Sequence, residues 1–107
     1  MPADRSRRKS YDGFSPLGPV LTTVDELGDG SGLDILLTCG GVVRQSVSTA
    51  DLLTGVPAIV AYASSVMTLN PGDVLFTGAP PGVGPIAAGG SLEVSISGIG
   101  SMTVTIA

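Results

Sequence analysis

Leu33-Asp34-Ile35-Leu36-Leu37-Thr38-Cys39-Gly40-Gly41-Val42-Val43-Arg44-Gln45-Ser46-Val47 is the stretch that decides the fold. Two runs rich in aliphatic and β-branched residues, Leu33 to Thr38 and Val42 to Val47, flank Cys39-Gly40-Gly41. Paired glycines supply the positive φ angles that a tight hairpin needs, so the stretch predicts two antiparallel strands. Downstream, Leu92 to Ser97 (LEVSIS) alternates as a half-buried strand, Gly98-Ile99-Gly100 turns, and Met102 to Ile106 (MTVTI) alternates again. Val74 to Phe76 adds a short apolar strand.

Between these runs, Ser48-Thr49-Ala50-Asp51 reads as a helix start, with a hydroxyl cap and an early acid on the positive helix end. This first turn ends near Gly55. Pro57 suits the opening turn of a second helix, where Val56, Ile59, Val60, Ala63 and Met67 recur on one face. Asn70-Pro71-Gly72 ends it, and Asp73 is expected to bond within that turn. Five or six strands and one clear helix predict a mainly β (α+β) domain, its strands arranged as a sandwich, roll or barrel. Residues 25–32 read as an exposed loop. Two further segments, 11–19 and 78–90, are rich in glycine and proline, and long loops in small domains are often functional.

The whole chain of 107 residues is the size of one domain. It holds 16 glycines and 8 prolines, yet 43% of its residues are hydrophobic and only 13% are charged, which argues against disorder. It has no histidine, which excludes imidazole bases and histidine metal ligands. Its single cysteine, Cys39, allows no internal disulfide or cysteine cage. Cys39 has no basic neighbour to make it a thiolate, so it reads as a small apolar residue. The longest apolar run, Val56 to Ala63, is far short of the roughly 20 residues that span a bilayer. No apolar signal region follows the basic start. The expectation is a cytoplasmic, reduced protein without a membrane segment.

Charge is unevenly spread. Arg5, Arg7, Arg8 and Lys9 face only Asp4 in the first nine residues, whereas Arg44 is the one cation among the rest. A basic arm at 1–8 on an acidic body can signal nucleic acid or anionic membrane. The body has no basic face and only two Phe and two Tyr, so neither partner is expected. The arm reads as solvated and flexible, with Lys9 at its end able to join a site. A desolvated ammonium there could stabilise an enolate oxygen or donate a proton. The glycine-rich run Gly78 to Gly84 follows a strand, but matches no dinucleotide or P-loop pattern. The nine acids show no calcium-loop spacing, so no intrinsic metal site is read from them.

Several runs resemble the C-terminal domain of the fumarylacetoacetate hydrolase family. Lys9 to Pro19 (KSYDGFSPLGP) is similar to its K-S-F-D-x-F-x-P-L-G-P segment, and Gly41 to Ser46 (GVVRQS) to its N-G-E-x-R-Q stretch. Met67 to Gly84 (MTLNPGDVLFTGAPPGVG) is similar to its L-x-P-G-D-x-x-x-T-G-T-P-x-G-V-G signature, and Gly98-Ile99-Gly100 resembles its closing G-I-G. The resemblance runs collinearly from residue 8 to about 106, and residues 9–107 are taken as a single, truncated domain. It implies a mixed β-sandwich or β-roll with one or two short helices, usually dimeric. It implies substrates that are 1,3-dicarbonyl compounds or 2-oxo acids, which the family hydrolyses, decarboxylates, isomerises or hydrates. A Mg²⁺ or similar ion (Ca²⁺ in some members) normally chelates the substrate oxygens, a Lewis-acid role.

Carried over by position, Lys9 matches the active-site lysine and Thr77 the pocket threonine. Tyr11, Phe14, Gly78, Pro80 and Val83 become candidate substrate contacts. The family's ligands, a Glu-x-Glu pair and a later Asp, have no counterpart here, and neither has the hydrolase histidine. Gly40 replaces the Asn of N-G-E, Val42 its Glu, Ala79 the second Thr of T-G-T-P, and Gly90 the Asp of a late G-D pair.

No metal cofactor is therefore expected. The leading expectation is a stripped-down, metal-independent enzyme acting on a small enol or β-dicarbonyl molecule, as an isomerase, lyase or cyclase, such as one from a natural-product pathway. One alternative is a hydrolase or decarboxylase half that needs a partner chain for its metal site. Another is a non-catalytic dimeric binding or structural domain. In each case, a homodimer would cover apolar sheet surface.

Overall fold

The computed structural model describes residues 4–107. Its elements are α1 (Arg5–Lys9), α2 (Val24–Leu27), β1 (Asp34–Cys39), β2 (Val42–Ser48), a 3₁₀ turn (Thr49–Asp51), α3 (Val56–Val66), β3 (Ser91–Ile96) and β4 (Gly100–Thr105). The four strands form one antiparallel sheet in the order β2-β1-β3-β4. The mainly β, α+β class expected from the sequence is what forms.

The hairpin joins Cys39 to Val42 through Gly40 and Gly41, both at positive φ (57° and 82°). Two consecutive residues in that region are what a two-residue turn between right-twisted strands requires. Pairing of Ile35 with Val47 and Ile96, and of Leu37 with Val94, gathers the aliphatic side chains onto one face. Leu92, Met102 and Val104 extend that face onto β4. The other face is built mainly of Ser and Thr: Thr38, Ser46, Ser95, Ser101 and Thr103. Strand alternation alone produces this division.

Three segments roof the apolar face. Ile59 of α3 stands over Ile35 and Val47. The 82–86 loop lies over Leu37, Cys39 and Leu92. Gly18, Pro19 and Val20 lie over Val94 and Met102. The roof is loose: among the described residues only Ala63 is buried, at 8% exposure. Of the expected helical stripe, Val56, Ile59 and Ala63 turn inward, whereas Val60 and Met67 stay exposed.

Local chemistry accounts for the joints. Thr49 replaces part of the backbone ladder where β2 ends. Its hydroxyl donates to the Gly30 carbonyl at 2.6 Å and accepts from the Leu33 amide at 2.9 Å. Ser48 and Asp51 form a reciprocal cap, with the Ser48 hydroxyl accepting from the turn and the Asp51 carboxylate from the Ser48 amide. Asp34 and Ser97 tie β1 to the β3–β4 turn, the Asp34 amide donating to the Ser97 hydroxyl at 2.8 Å.

Some local expectations change. Val74 to Phe76 is not a strand. A strand needs a neighbour, and this run pairs with no strand of the sheet, with Phe76 73% exposed. The strand count is therefore four rather than five or six. The expected 25–32 loop begins with the short helix α2, whose first turn carries Asp25 and Glu26 at its positive end. The arm expected over 1–8 is helical from Arg5, where Asp4 caps the turn by accepting the Arg7 amide at 2.9 Å. Its first three residues lie outside the described ones.

Candidate functional site

Lys9 is the last residue of α1 and is exposed. Two hydroxyls fold the chain around it. Ser10 donates to the Ser6 carbonyl, and Ser15 donates to the Lys9 carbonyl at 3.3 Å. Between them the Phe14 amide closes a turn on the Tyr11 carbonyl at 3.0 Å. The rings of Tyr11 and Phe14 meet at 5.3 Å, tilted by 59°. This aromatic contact stiffens the segment that carries the lysine.

The second wall is the signature loop. It leaves α3 through a turn in which the Asn70 amide donates to the Asp73 carboxylate at 2.8 Å, and the Asp73 amide to the Asn70 carbonyl at 3.1 Å. The turn role expected for Asp73 is the one it plays. The chain then runs past α1 and returns over the sheet.

The two walls enclose a hollow of about 530 Å³. Lys9, Ser10 and Ser15 line it on one side, and Phe76, Gly78 and Ala79 on the other. Thr77 does not open into it. Thr77 lines a neighbouring cleft of about 640 Å³, with Pro80, Ile35, Val47 and Ile59. Gly78 and Ala79 border both spaces, so the lysine and the threonine flank one stretch of backbone from opposite sides. Val83 sits in a third cleft of about 200 Å³, beside Arg44 and Gln45. Tyr11 and Phe14 support the lysine segment without lining its hollow, and both are exposed.

Chemically, the first hollow offers one ammonium, the hydroxyls of Ser6, Ser10 and Ser15 and an aromatic face, with no carboxylate among the described residues. That set suits an anionic or enolic oxygen on a small ligand. Among the described residues, no carboxylate lines the hollow beside the Lys9 ammonium. In the larger cleft the one acid, Asp51, is engaged in capping Ser48. Among the described residues no three of the types His, Cys, Asp and Glu cluster as a metal site would require. Among the described residues, the donors present do not form a set that fits the divalent ion implied by the family resemblance. Among the described residues, no helix is long and apolar enough to cross a membrane.

Sequence reasoning passed over Ser10, Ser15, Arg44 and Gln45 as site residues. Arg44 and Gln45 stood inside a quoted motif, but motif position alone does not say that they meet the signature loop.

Comparisons with known proteins bear on the family and the fold. A family profile described as fumarylacetoacetate (FAA) hydrolase C-terminal matches residues 1–107. The maleylpyruvate hydrolase of Aquipseudomonas alcaligenes is 46% identical over 105 residues, covering 98% of this chain and 37% of the relative. A crystal structure of maleylpyruvate hydrolase from Sphingobium sp. SYK-6, in complex with manganese (II) ion and pyruvate, superposes with a TM-score of 0.91. It is 42% identical over 97% of this chain and 39% of that one. The 5-carboxymethyl-2-hydroxymuconate delta-isomerase of Mycobacterium smegmatis gives a TM-score of 0.82 at 40% identity, over 94% of this chain and 38% of that one. The chain thus spans about two fifths of the length of these relatives. With the signature motif, the sheet and the match over its full length in agreement, the chain belongs to the fumarylacetoacetate hydrolase family, in the C-terminal domain that the profile describes.

Proposed function

We propose that this chain forms the ammonium-bearing wall of a site for a small enolisable β-dicarbonyl compound or 2-oxo acid, and promotes an isomerase-, lyase- or cyclase-type reaction there without a metal of its own. One observation carries the reading: Lys9, Ser10 and Ser15 line one hollow together with Gly78 and Ala79 of the signature loop. In that hollow the Lys9 ammonium holds the oxygen on which negative charge develops as the substrate enolises. The Ser10 and Ser15 hydroxyls, each already donating to a backbone carbonyl, accept from the enol hydroxyl of the substrate, and Phe76 offers an apolar side. Thr77, one residue from Gly78, holds the part of a ligand that reaches over into the larger cleft. A reduced, cytoplasmic setting and a homodimer complete the proposal, the latter because the apolar face is only half covered.

A second reading is favoured by the coverage: the chain corresponds to 37–39% of relatives, one of them solved with manganese and pyruvate. In it, carboxylates from another polypeptide segment complete the site and turnover becomes metal-dependent.

Proton–deuterium exchange at the pyruvate methyl group, followed by NMR in D₂O, tests both. The first reading expects exchange above the buffer rate in the presence of EDTA, reduced about 10²-fold by Lys9→Met. Exchange seen only with added Mn²⁺ and a complementing chain selects the second reading. Exchange at the buffer rate under every condition, with oxalate (a planar enolate mimic) failing to bind, overturns both.

A further inference from the structure

The signature loop does not rest on the sheet by apolar contact alone. Strand β2 pairs with β1 in constant register from Ser48 to Gln45, and then slips by one residue, so that Thr38 faces Val43. Arg44 is the extra residue of a β-bulge. A bulge leaves the backbone groups of the inserted residue out of the ladder and re-aims its neighbours. Both consequences are visible here. A Cβ on Gly82 would lie 2.0 Å from the Arg44 carbonyl oxygen, so only a hydrogen fits between loop and bulge. Gln45, the neighbour, is half-buried and donates its side-chain amide to the Pro80 carbonyl at 3.3 Å. The Arg44 guanidinium runs alongside Gly84, where a Cβ would lie 3.3 Å from Nη1.

We infer that Gln45, aimed by the Arg44 bulge, is a positioning residue for the candidate site. Its amide pins the loop at Pro80, and Gly82 seats against the bulge two residues on. Between them they fix Thr77, Gly78 and Ala79, the backbone that borders both the lysine hollow and the larger cleft. Gln45 lines neither of those spaces itself, so its effect on a ligand passes through the loop. The inference rests on the proposed site for its functional half. Its structural half stands on geometry alone.

The test uses the full chain in three forms: wild type, Gln45→Met, which keeps length but removes the donor, and Gln45→Lys, which restores one. Loop mobility is read from backbone ¹⁵N relaxation at Gly78, Ala79 and Gly82, and oxalate is titrated with and without Mn²⁺. The expected result is order parameters at those three amides lowered by Gln45→Met, with β1 and β3 amides unchanged. Oxalate affinity should fall about tenfold, and Gln45→Lys should recover part of both. Should Gln45→Met fail to fold, the wild type still decides the matter, because a pinned Gln45 side-chain amide exchanges more slowly with solvent than a free one. Unchanged loop order parameters in Gln45→Met, or a freely exchanging Gln45 side-chain amide in the wild type, overturns the inference. Absence of oxalate binding to the wild type overturns the proposed site, and loop mobility then judges the positioning claim by itself.

Discussion

Lys9 is the residue on which the proposed site depends, in a protein without histidine. Among the described residues its hollow has hydroxyls and an aromatic ring but no carboxylate. Gly82 is the opposite case, a residue whose importance lies in having no side chain. It sits at φ +110° with the Arg44 carbonyl where a Cβ would go. Gly82→Ala should cost about 2–4 kcal/mol, combining a disfavoured backbone region with a clash that the sheet cannot relieve. Urea denaturation would read this as a lower midpoint at unchanged slope; a midpoint equal to that of the wild type would show that the loop is free to move away. Acidic residues on the surface titrate according to their own small networks. The Ser31 hydroxyl, and then its amide, hold the Asp29 carboxyl below its ordinary value of 3.8. The Thr23 hydroxyl, and then the backbone at Asp25, do the same for Asp25. Because these folded-state values are depressed, the stability they add is complete above the ordinary carboxylate value and fades as pH falls through the lowered one. Ser31→Ala should move Asp29 back up toward 3.8, followed by carboxyl ¹³C shifts in a pH titration.

At the scale of elements, β2 carries the heaviest duty. It supplies half of the hairpin, the bulge that seats the signature loop, and the cap where the chain leaves the sheet. Thr49 is the hinge of that exit, since its hydroxyl both donates and accepts across a loop. Thr49→Val keeps the shape and removes both bonds. It should destabilise the fold by about 1–3 kcal/mol, leaving the Gly30 carbonyl and Leu33 amide without their partner. Thermal unfolding would check it, and Thr49→Ser should recover most of the loss. The hairpin and the β3–β4 pair follow from alternation and glycine placement, both visible in the sequence. The failure of Val74 to Phe76 to form a strand is not visible there, because an apolar run does not reveal whether an edge is near enough to pair with. The first turn of helix at Arg5 was equally hidden, as it depends on one Asp4 cap rather than on any apolar period.

The molecule as a whole is expanded for its length. Its radius of gyration is 15.1 Å, against about 13 Å for a compact domain of roughly 100 residues. Leu21, Phe14, Tyr62 and Phe76 are all more than half exposed. Such a surface invites a covering partner, either a second copy or the remainder of a fold whose relatives are two to three times as long. Sedimentation at micromolar concentration should therefore show a dimer or larger species, and monomeric protein should bind the apolar dye ANS. A monodisperse monomer without dye binding would contradict this picture.

The amino-acid order alone determined the sheet hairpins, the α3 helix, the Asp73 turn and the family, since each depends on residues close together in the chain or on a contiguous motif. It also removed histidine chemistry from consideration outright. Tertiary structure decided that Lys9 and Thr77 open into different spaces on either side of Gly78. It also decided that Gln45 holds the loop between them. Those relations join residues 35 or more positions apart, such as Gln45 and Pro80, and a bulge of one residue at Arg44 sets where the side chains on either side of it point. No local pattern encodes that aim, because it arises only when two strands and a loop meet.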